Sequence, residues 1–515
     1  MGRTLSKQTI MPVNGLDTSK PAEWITDQNS PNCQNVDDFQ GQIRKRFGFP
    51  VIGAQMGGTN KEILAGSEFK RNNVTFVFRV GSDRAESLNT GSGAWSTISG
   101  SVLSSTEDDE VAICTPFLSG ERIAVFTSAT YVPQKWTGTG NHADLGGTPP
   151  KAKYCEAFGA YMILAHITDD GGSSHRTRVQ WSDTGDPEEW DAATSNAGAV
   201  DLTAGGDITG IKTYGNYLTV HKRDRLHLGY FVSTDATIKF DEKYTPGTIA
   251  HHTIQNLPNG GQVYLGIDGI RIFNGSTSQL IDSPMNEDIR NSLNVAFAYR
   301  SWSVLVEDLN EYWIGIPTGG DENANVIYRF DYNSGKIYKN TFFENVRSAW
   351  NYSNINEMTW DDITTTWDET PWRWDDASGT AGYLVPMLST NQGYSYNYSK
   401  STTNDNALPV ESIFDTKDYH IPNQLGSMIR WNRVEVWAKG NTVKVSYSTD
   451  GGNTWTQMDN LTLDSDYPDD DSPLMLYLDT VSTKLRLRFY NNEDEETFSM
   501  KQFVIYGTPR EARGI

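Results

Sequence analysis

The sequence predicts an all-β protein: a β-propeller body with a C-terminal β-sandwich-like domain and an extended N-terminal arm. Three observations carry that expectation. Apolar runs of strand length recur through most of the 515 residues, among them Val74-Thr-Phe-Val-Phe-Arg-Val80, Arg122-Ile-Ala-Val-Phe126, Tyr217-Leu-Thr-Val-His221 and Glu311-Tyr-Trp-Ile-Gly-Ile316. Turn signals such as Gly81-Ser-Asp83, Asp268-Gly269, Asn274-Gly275 and Gly319-Gly320 punctuate them; Asp-Gly and Asn-Gly between such runs favour hairpins, because primed turns need positive φ. The hydrophobic fraction is only 37%, yet 24 Tyr, 20 Phe and 15 Trp supply the broad apolar faces that thin packed sheets require and disordered chains lack.

Taken in order, residues 1–50 are poor in strand patterns and end on the basic cluster Arg44-Lys45-Arg46, so they read as an N-terminal arm. Residues 51–350 carry successive hairpins: Leu265-Gly-Ile-Asp-Gly-Ile-Arg-Ile-Phe-Asn-Gly275 and Tyr328-Arg-Phe-Asp-Tyr-Asn-Ser-Gly-Lys-Ile-Tyr338 share strand, glycine turn and aromatic strand, the recurrence that four-stranded propeller blades produce. The one helical pattern is Met285-Asn-Glu-Asp-Ile-Arg-Asn-Ser-Leu293, two turns after Pro284. Residues 351–404 are an insertion or a closing blade. Within them Trp360, Trp367 and Trp374 recur every seven residues, each followed by acids, without the second apolar position that a coiled coil needs. Residues 405–515 alternate as a β-sandwich does.

Composition narrows the function. A formal net charge of −22 does not suit a duplex-binding surface, which clusters Lys and Arg. Cys33, Cys114 and Cys155 are widely spaced and form neither a CxxC pair nor a zinc arrangement. No apolar run reaches membrane-spanning length, and no signal-peptide pattern follows Met1. Motifs for metalloprotease, serine hydrolase or nucleotide chemistry are lacking, and Gly138-Thr-Gly140 and Gly91-Ser-Gly93 read as turns because no helix follows them. His251-His252 would point to opposite faces of a strand, which argues against joint ligation. The expectation is a non-enzyme without cofactor or metal.

Ser448-Thr-Asp-Gly-Gly-Asn-Thr-Trp455 resembles the Asp-box, S-x-D-x-G-x-T-W, of sialidases and other β proteins. Ser448, Asp450, Gly452 and Trp455 would then stabilise a hairpin turn, the carboxylate accepting backbone N–H bonds with the indole beneath it. The Trp-Asp repeat reads either as a self-packed loop or as a partner-docking surface through Trp360, Trp367 and Trp374.

Pro12-Val-Asn-Gly-Leu-Asp-Thr18, Asn29-Ser-Pro31, Asn35-Val-Asp-Asp-Phe39, Gly41 and Arg44-Lys-Arg-Phe-Gly48 together resemble the opening of bacteriophage tail structural proteins, and Arg178-Val-Gln-Trp-Ser-Asp-Thr-Gly-Asp-Pro-Glu-Glu-Trp190 resembles a phrase recurrent in them. The order of arm, propeller, Trp-rich insertion and sandwich is similar to that of the tail nozzle, or packaged-DNA stabilisation, proteins of short-tailed phages. The resemblance implies a virion tail component: a homo-oligomeric ring, typically a hexamer, beneath the portal and a tail adaptor, mounting a tail fibre or spike. Double-stranded DNA would pass through its channel without sequence-specific binding. Acids in Asp469-Asp470-Asp471 and Glu493-Asp494-Glu495-Glu496 would border that lumen and repel phosphates, while Arg44, Lys45 and Arg46 would meet an acidic adaptor surface. The competing readings are a receptor-binding tail protein and a glycan-active hydrolase with a propeller fold.

Overall fold

The first hairpin shows how local chemistry sets the architecture. Asn72 and Asn73 both take positive φ (48° and 62°), closing a two-residue turn whose hand matches the twist of the flanking strands Ile63–Arg71 and Val74–Gly81. In the computed structural model, which describes residues 6–10, 13–39, 41–58, 61–100, 103–232, 238–353, 384–420, 426–463 and 473–510, antiparallel sets of this kind stand around one axis as seven blades.

Blade 1 is Ile63–Arg71, Val74–Gly81, Ala85–Asn89 and Ala94–Thr97. Blade 2 is Ala112–Cys114, Ala124–Ser128, Tyr131–Trp136 and Ala143–Asp144. Blade 3 is Lys151–Phe158, Tyr161–Thr168, Ser174–Trp181 and Gly198–Asp201. Blade 4 runs from Ile208–Tyr214 through Tyr217–Lys222 and Leu226–Phe231 to Ile238–Lys243. Blade 5 runs from Gln255–Asn256 through Gln262–Gly266 and Gly269–Phe273 to Ser278–Leu280, with the expected helix, Met285–Ser292, directly after it. Blade 6 is Trp302–Val306, Glu311–Ile316, Ala324–Asp331 and the first half of the long strand Ile337–Ser353.

That long strand closes the ring. From Val346 onward it leaves blade 6 and becomes the inner strand of blade 7, pairing with Leu384–Thr390, which pairs with Ser395–Asn397. The outermost strand of blade 7 comes from the other end of the propeller sequence: Val51 bridges Tyr396, Gly48 bridges Ser399, and the Ile52 N–H donates to the Ser395 carbonyl at 2.8 Å. Sequence-distant segments therefore lock the circle.

Each seam between blades carries a side chain donating to a main-chain carbonyl of its neighbour. Around the ring these are Ser105 to Ser82 (2.8 Å), Thr127 to Ala152 (2.6 Å), Thr213 to Ala157 (2.9 Å) and Thr209 to Thr248 (2.7 Å). Gln255 to Ser303 (3.0 Å), Asn351 to Leu305 (2.7 Å) and Ser348 to Ile63 (2.6 Å) complete the set. Such bonds satisfy carbonyls that face a neighbouring blade instead of water. A glycine facing an indole lets neighbouring blades approach closely: a Cβ on Gly66 of blade 1 would lie 2.4 Å from the Trp350 ring of blade 7, while within blade 6 the Trp302 indole covers its strand partner Gly315, whose Cβ would lie 2.3 Å from it.

The C-terminal domain is a two-sheet sandwich into which the N-terminal arm is woven. One sheet is Asn32–Gln34, Ser412–Asp415, Arg486–Asn491, Thr442–Ser448 and Thr456–Thr462. The other is Val36–Phe39, Gln42–Lys45, Phe498–Pro509, Ile429–Gly440 and Leu474–Ser482, with Ser6–Ile10 also pairing on Phe498–Pro509. Val434, Val436, Phe503 and Ile505 of the second sheet share one buried cluster with Val443, Val445, Leu487 and Phe489 of the first.

The same cluster takes in Leu257, Val263 and Ile270 of blade 5 and Tyr312 and Tyr328 of blade 6. A parallel pairing of Gln34 with Lys339 joins the first sheet of the sandwich to the outer strand of blade 6. Propeller and sandwich are thus hydrogen-bonded and packed as one body.

Candidate functional site

The Asp-box forms the turn its residues imply. Asp450 Oδ1 accepts the backbone N–H groups of Asn453 and Thr454 at 3.0 Å each, and Oδ2 accepts the Thr454 hydroxyl at 2.6 Å. The Ser448 hydroxyl donates to Asp450 at 2.6 Å and accepts the Gly452 N–H at 2.8 Å. Hydrogen bonds from Ser448 first, then Thr454, hold the Asp450 carboxyl well below the usual carboxylate range. Gly452 takes φ +94°, and Trp455 lies flat under the Arg488 guanidinium, 4.0 Å from it. The arrangement stabilises a loop; its carboxylate is saturated by its own turn.

The basic cluster requires correction. Lys45 and Arg46 are buried inside the chain, each about 1% exposed, and do not present a surface to an adaptor. Arg46 forks onto Asp405 at 2.9 and 2.5 Å and donates to Asn35 Oδ1 at 3.0 Å and to the Thr341 carbonyl at 3.0 Å. Lys45 donates to Asn491 Oδ1 at 2.9 Å and to the Glu493 carbonyl at 3.1 Å; burial, and then the neighbouring Arg46, push it down to about 8. Arg44 is half-buried with its guanidinium 4.4 Å from the Phe47 ring. Lys45 thus ties the arm to the sandwich and Arg46 ties it to blade 6. A companion tie sets the blade 6 residue Arg329 between Asp37 of the arm and Glu311, whose oxygens lie 2.8 Å away.

The acidic turn 493–496 is partly engaged within the chain. Glu493 pairs with Lys444, Asp494 accepts the Asn404 amide at 2.7 Å, and Glu496 accepts the Thr442 hydroxyl and the Asn491 amide. Glu493, Asp494 and Glu495 remain exposed. Trp360, Trp367, Trp374, Asp469, Asp470 and Asp471 lie outside the described residues. The phrase Arg178–Trp190 runs from the end of the strand Ser174–Trp181 into a turn: the Trp181 indole donates to the Asn196 carbonyl, the Trp190 indole to the Pro187 carbonyl, and Arg178 forks onto Asp201 of the next strand at 2.8 and 2.7 Å.

A second assembly, not singled out by motif, lies on the propeller axis, where the inner strands and their lead-in segments converge. Arg347 of blade 7 approaches Glu62 of blade 1 (3.5 Å) and donates to the Asp109 carbonyl at 2.9 Å; Glu62 also accepts the Asn323 amide at 2.8 Å. Glu110 of blade 2 pairs with Lys153 of blade 3, and Glu156 of blade 3 lies 3.8 Å from Lys212 of blade 4. Arg300, leading into blade 6, reaches Asp108 at 2.5 Å and Glu322 at 3.1 Å. His251 and His252 occupy the turn His251–Thr253 before blade 5, with the His251 ring 4.7 Å from that of Tyr154.

Electrostatics at the axis follow from burial among paired charges. Burial opposes the Lys153 charge, but Glu110 outweighs it and holds the ammonium above the usual lysine value. Glu62 is pushed up by burial despite Arg347. Burial lowers both histidines, His252 to about 4, and nearby Lys212 and Lys153 add to the effect, so both imidazoles are neutral near pH 7. Among the described residues no group of three or more His, Cys, Asp or Glu side chains is placed to hold a metal ion, and no helix is long and apolar enough to cross a membrane. The positional signal for the axis was a charged or imidazole residue just ahead of, or beginning, an inner-strand run, as in Glu62-Ile-Leu-Ala and Glu110-Val-Ala-Ile-Cys. Only the closed ring turns those scattered positions into one site.

By its strand pairings the molecule belongs to the seven-bladed propellers, here fused to a β-sandwich. Neither a protein-family model nor a curated protein matches the sequence. Among solved structures, YCF48 from Cyanidioschyzon merolae is similar at 9% identity over 69% of this chain and 99% of its own, with a TM-score of 0.41. BamB from Moraxella catarrhalis is similar at 11% identity over 67% and 98%, TM-score 0.34. The exo-β-1,3-galactanase of Phanerochaete chrysosporium is similar at 11% identity over 89% and 100%, TM-score 0.28.

Proposed function

We propose that the chain is a structural, non-catalytic component of a bacteriophage tail: a nozzle subunit that assembles into a homo-oligomeric ring, continues the DNA channel below the portal and adaptor, retains packaged DNA and mounts a fibre or spike. The observation that carries the reading is the weave of the N-terminal arm, which resembles phage tail proteins in sequence and here ties sandwich to propeller through Arg46–Asp405 and Arg329–Asp37. A part that must hold pressurised DNA gains from being one rigid body. Ion pairs cross the propeller axis, which supports a channel formed between subunits over one through a single propeller. A net charge of −22 suits a lumen that passes polyanions without holding them, and the exposed acids Glu493, Asp494 and Glu495 are candidates to border it.

Mass photometry of the purified chain tests the reading. Particles at about six times the subunit mass are expected, a closed cyclic assembly being the ordinary outcome of head-to-tail contacts. A species that stays monomeric at micromolar concentration and cleaves a glycan would overturn it in favour of a hydrolase.

A further inference from the structure

Where the arm meets the sandwich, a buried lysine faces a buried amide. Lys45 and Asn491 are 1% and 0% exposed, and the Lys45 amine donates to Asn491 Oδ1 at 2.9 Å and to the Glu493 carbonyl at 3.1 Å. Glu496, Asp405 and Asp494 lie close enough to act on its charge, yet among the described residues none of the three is hydrogen-bonded to it. A buried lysine held by neutral oxygens instead of a carboxylate is poorly supported as an ammonium. Burial first, and the Arg46 charge second, bring it down to about 8. The free amine, which is the nucleophilic form, is therefore within reach near neutral pH.

The Asn491 amide is engaged at both ends in ways that acyl transfer would use. Its Oδ1 accepts the Glu493 backbone N–H at 3.2 Å, a donor placed where negative charge would grow on that oxygen. Its Nδ2 donates to Glu496 Oε2 at 3.1 Å and to the Thr442 carbonyl at 3.0 Å. The same Glu496 oxygen accepts the Thr442 hydroxyl, which fixes it beside the nitrogen that would leave. Nucleophile, electrophile, oxyanion donor and proton carrier thus meet at one amide.

We propose that Lys45 and Asn491 join in an autocatalytic isopeptide bond that staples the N-terminal arm to the sandwich. The Nζ lone pair attacks Asn491 Cγ, one bond beyond the oxygen it already touches; the Nζ–Cγ bond forms and the carbonyl electron pair moves onto Oδ1. Glu496 takes a proton from Nζ and delivers it to Nδ2. Collapse of the intermediate breaks the Cγ–Nδ2 bond, restores the carbonyl and releases ammonia, so the exchange balances without an oxidant or a co-reactant. An amide is a sluggish electrophile, but a nucleophile of the same chain held at contact gains the large effective concentration of intramolecular reactions. Lys444 is the internal contrast: it donates to Asn492 Oδ1 at 2.6 Å, but that nitrogen is ion-paired with Glu493 at an exposed site. The bond would join residues 446 apart, on either side of the whole propeller sequence. It goes beyond the tail reading and does not depend on it.

Mass spectrometry of the denatured full chain and of its tryptic digest tests the bond. The wild-type chain is expected to weigh one ammonia less than its sequence, and the digest to hold a branched peptide in which Lys45-Arg46 is attached through Asn491 to 489–501. The wild-type chain should also run ahead of Lys45→Arg on a denaturing gel after boiling, because a cross-linked chain cannot extend fully. Lys45→Arg and Asn491→Ala should each restore the full mass. Glu496→Gln, which still accepts hydrogen bonds but cannot carry the proton, should leave a large share of the chain at full mass. The wild-type measurement stands whether or not a variant folds. A wild-type chain at full mass overturns the proposal, and so does loss of ammonia with only unbranched peptides, the mark of Asn491 cyclising on its own backbone. A folded Glu496→Gln chain cross-linked as fast and as fully as the wild type would overturn the proton route through Glu496.

Discussion

The Arg46 guanidinium makes a two-point contact with Asp405 and directs its remaining donors to Asn35 Oδ1 and the main-chain oxygens of Phe47 and Thr341. Taking a charge out of water is costly unless every donor is met, so its partner left alone would be a bare buried carboxylate. Arg46→Met is therefore expected to lose about 3–5 kcal/mol in urea unfolding, and Arg46→Met/Asp405→Leu to recover much of it; an unchanged midpoint in the single variant would remove this tie from the account. Arg44-Lys45-Arg46 was legible in the sequence as a cluster, but its burial was not, because the carboxylate that receives Arg46 lies 359 residues away. The hydrogen bonds of the Asp-box turn were legible, since each joins residues at most four apart, whereas the stacking of Trp455 on the distant Arg488 was not. Local chemistry can be read from a local string; paired burial across the chain cannot.

At the scale of elements, ring closure depends on a close backbone approach. A Cβ on Gly48 would stand 1.9 Å from the Asn404 carbonyl oxygen, a rigid main-chain atom. Gly48→Ala should push the closing strand off Ser395–Asn397 and destabilise the propeller by roughly 2–4 kcal/mol, read as a lower thermal midpoint with faster amide exchange at Ile52 and Asn397. Exchange left at wild-type rates would mean that the outer strand of blade 7 does not hold the circle. Hairpins and the Met285–Ser292 helix were readable from turn residues and periodicity. A closing blade within 351–404 was one of the two readings; that it also draws on 48–52 and on the second half of Ile337–Ser353 was not legible, because those segments lie far from it in sequence. Nor did any motif announce the axial site, since its residues reach one another only when blades 1 to 7 close.

For the whole molecule, the histidines set an acid limit. Burial lowers His142, His166, His221, His227, His251 and His252, with His221 and His252 brought to about 4. The unfolded chain takes up protons near pH 6.5 while the folded chain does not. For His221 and His252 the stability tied to the neutral imidazole is therefore complete above about 6.5, falls as pH drops, and has gone by about 4. His221 alone, fully buried against Gln262, accounts for about 3 kcal/mol over that window. The thermal midpoint should fall steadily from pH 6.5 to 4.5, with a shallower slope in His221→Gln; a flat profile would show that the histidines are not held neutral. A charge of −22 sets the second molecular property, a surface that repels polyanions. The most direct measurement of the central claim is cryo-electron microscopy of the purified full chain. A closed ring is predicted, with the 493–496 turn on an acidic lumen wide enough for a duplex and each propeller axis closed to DNA. Separate monomers, or a ring with a basic lumen, would contradict it.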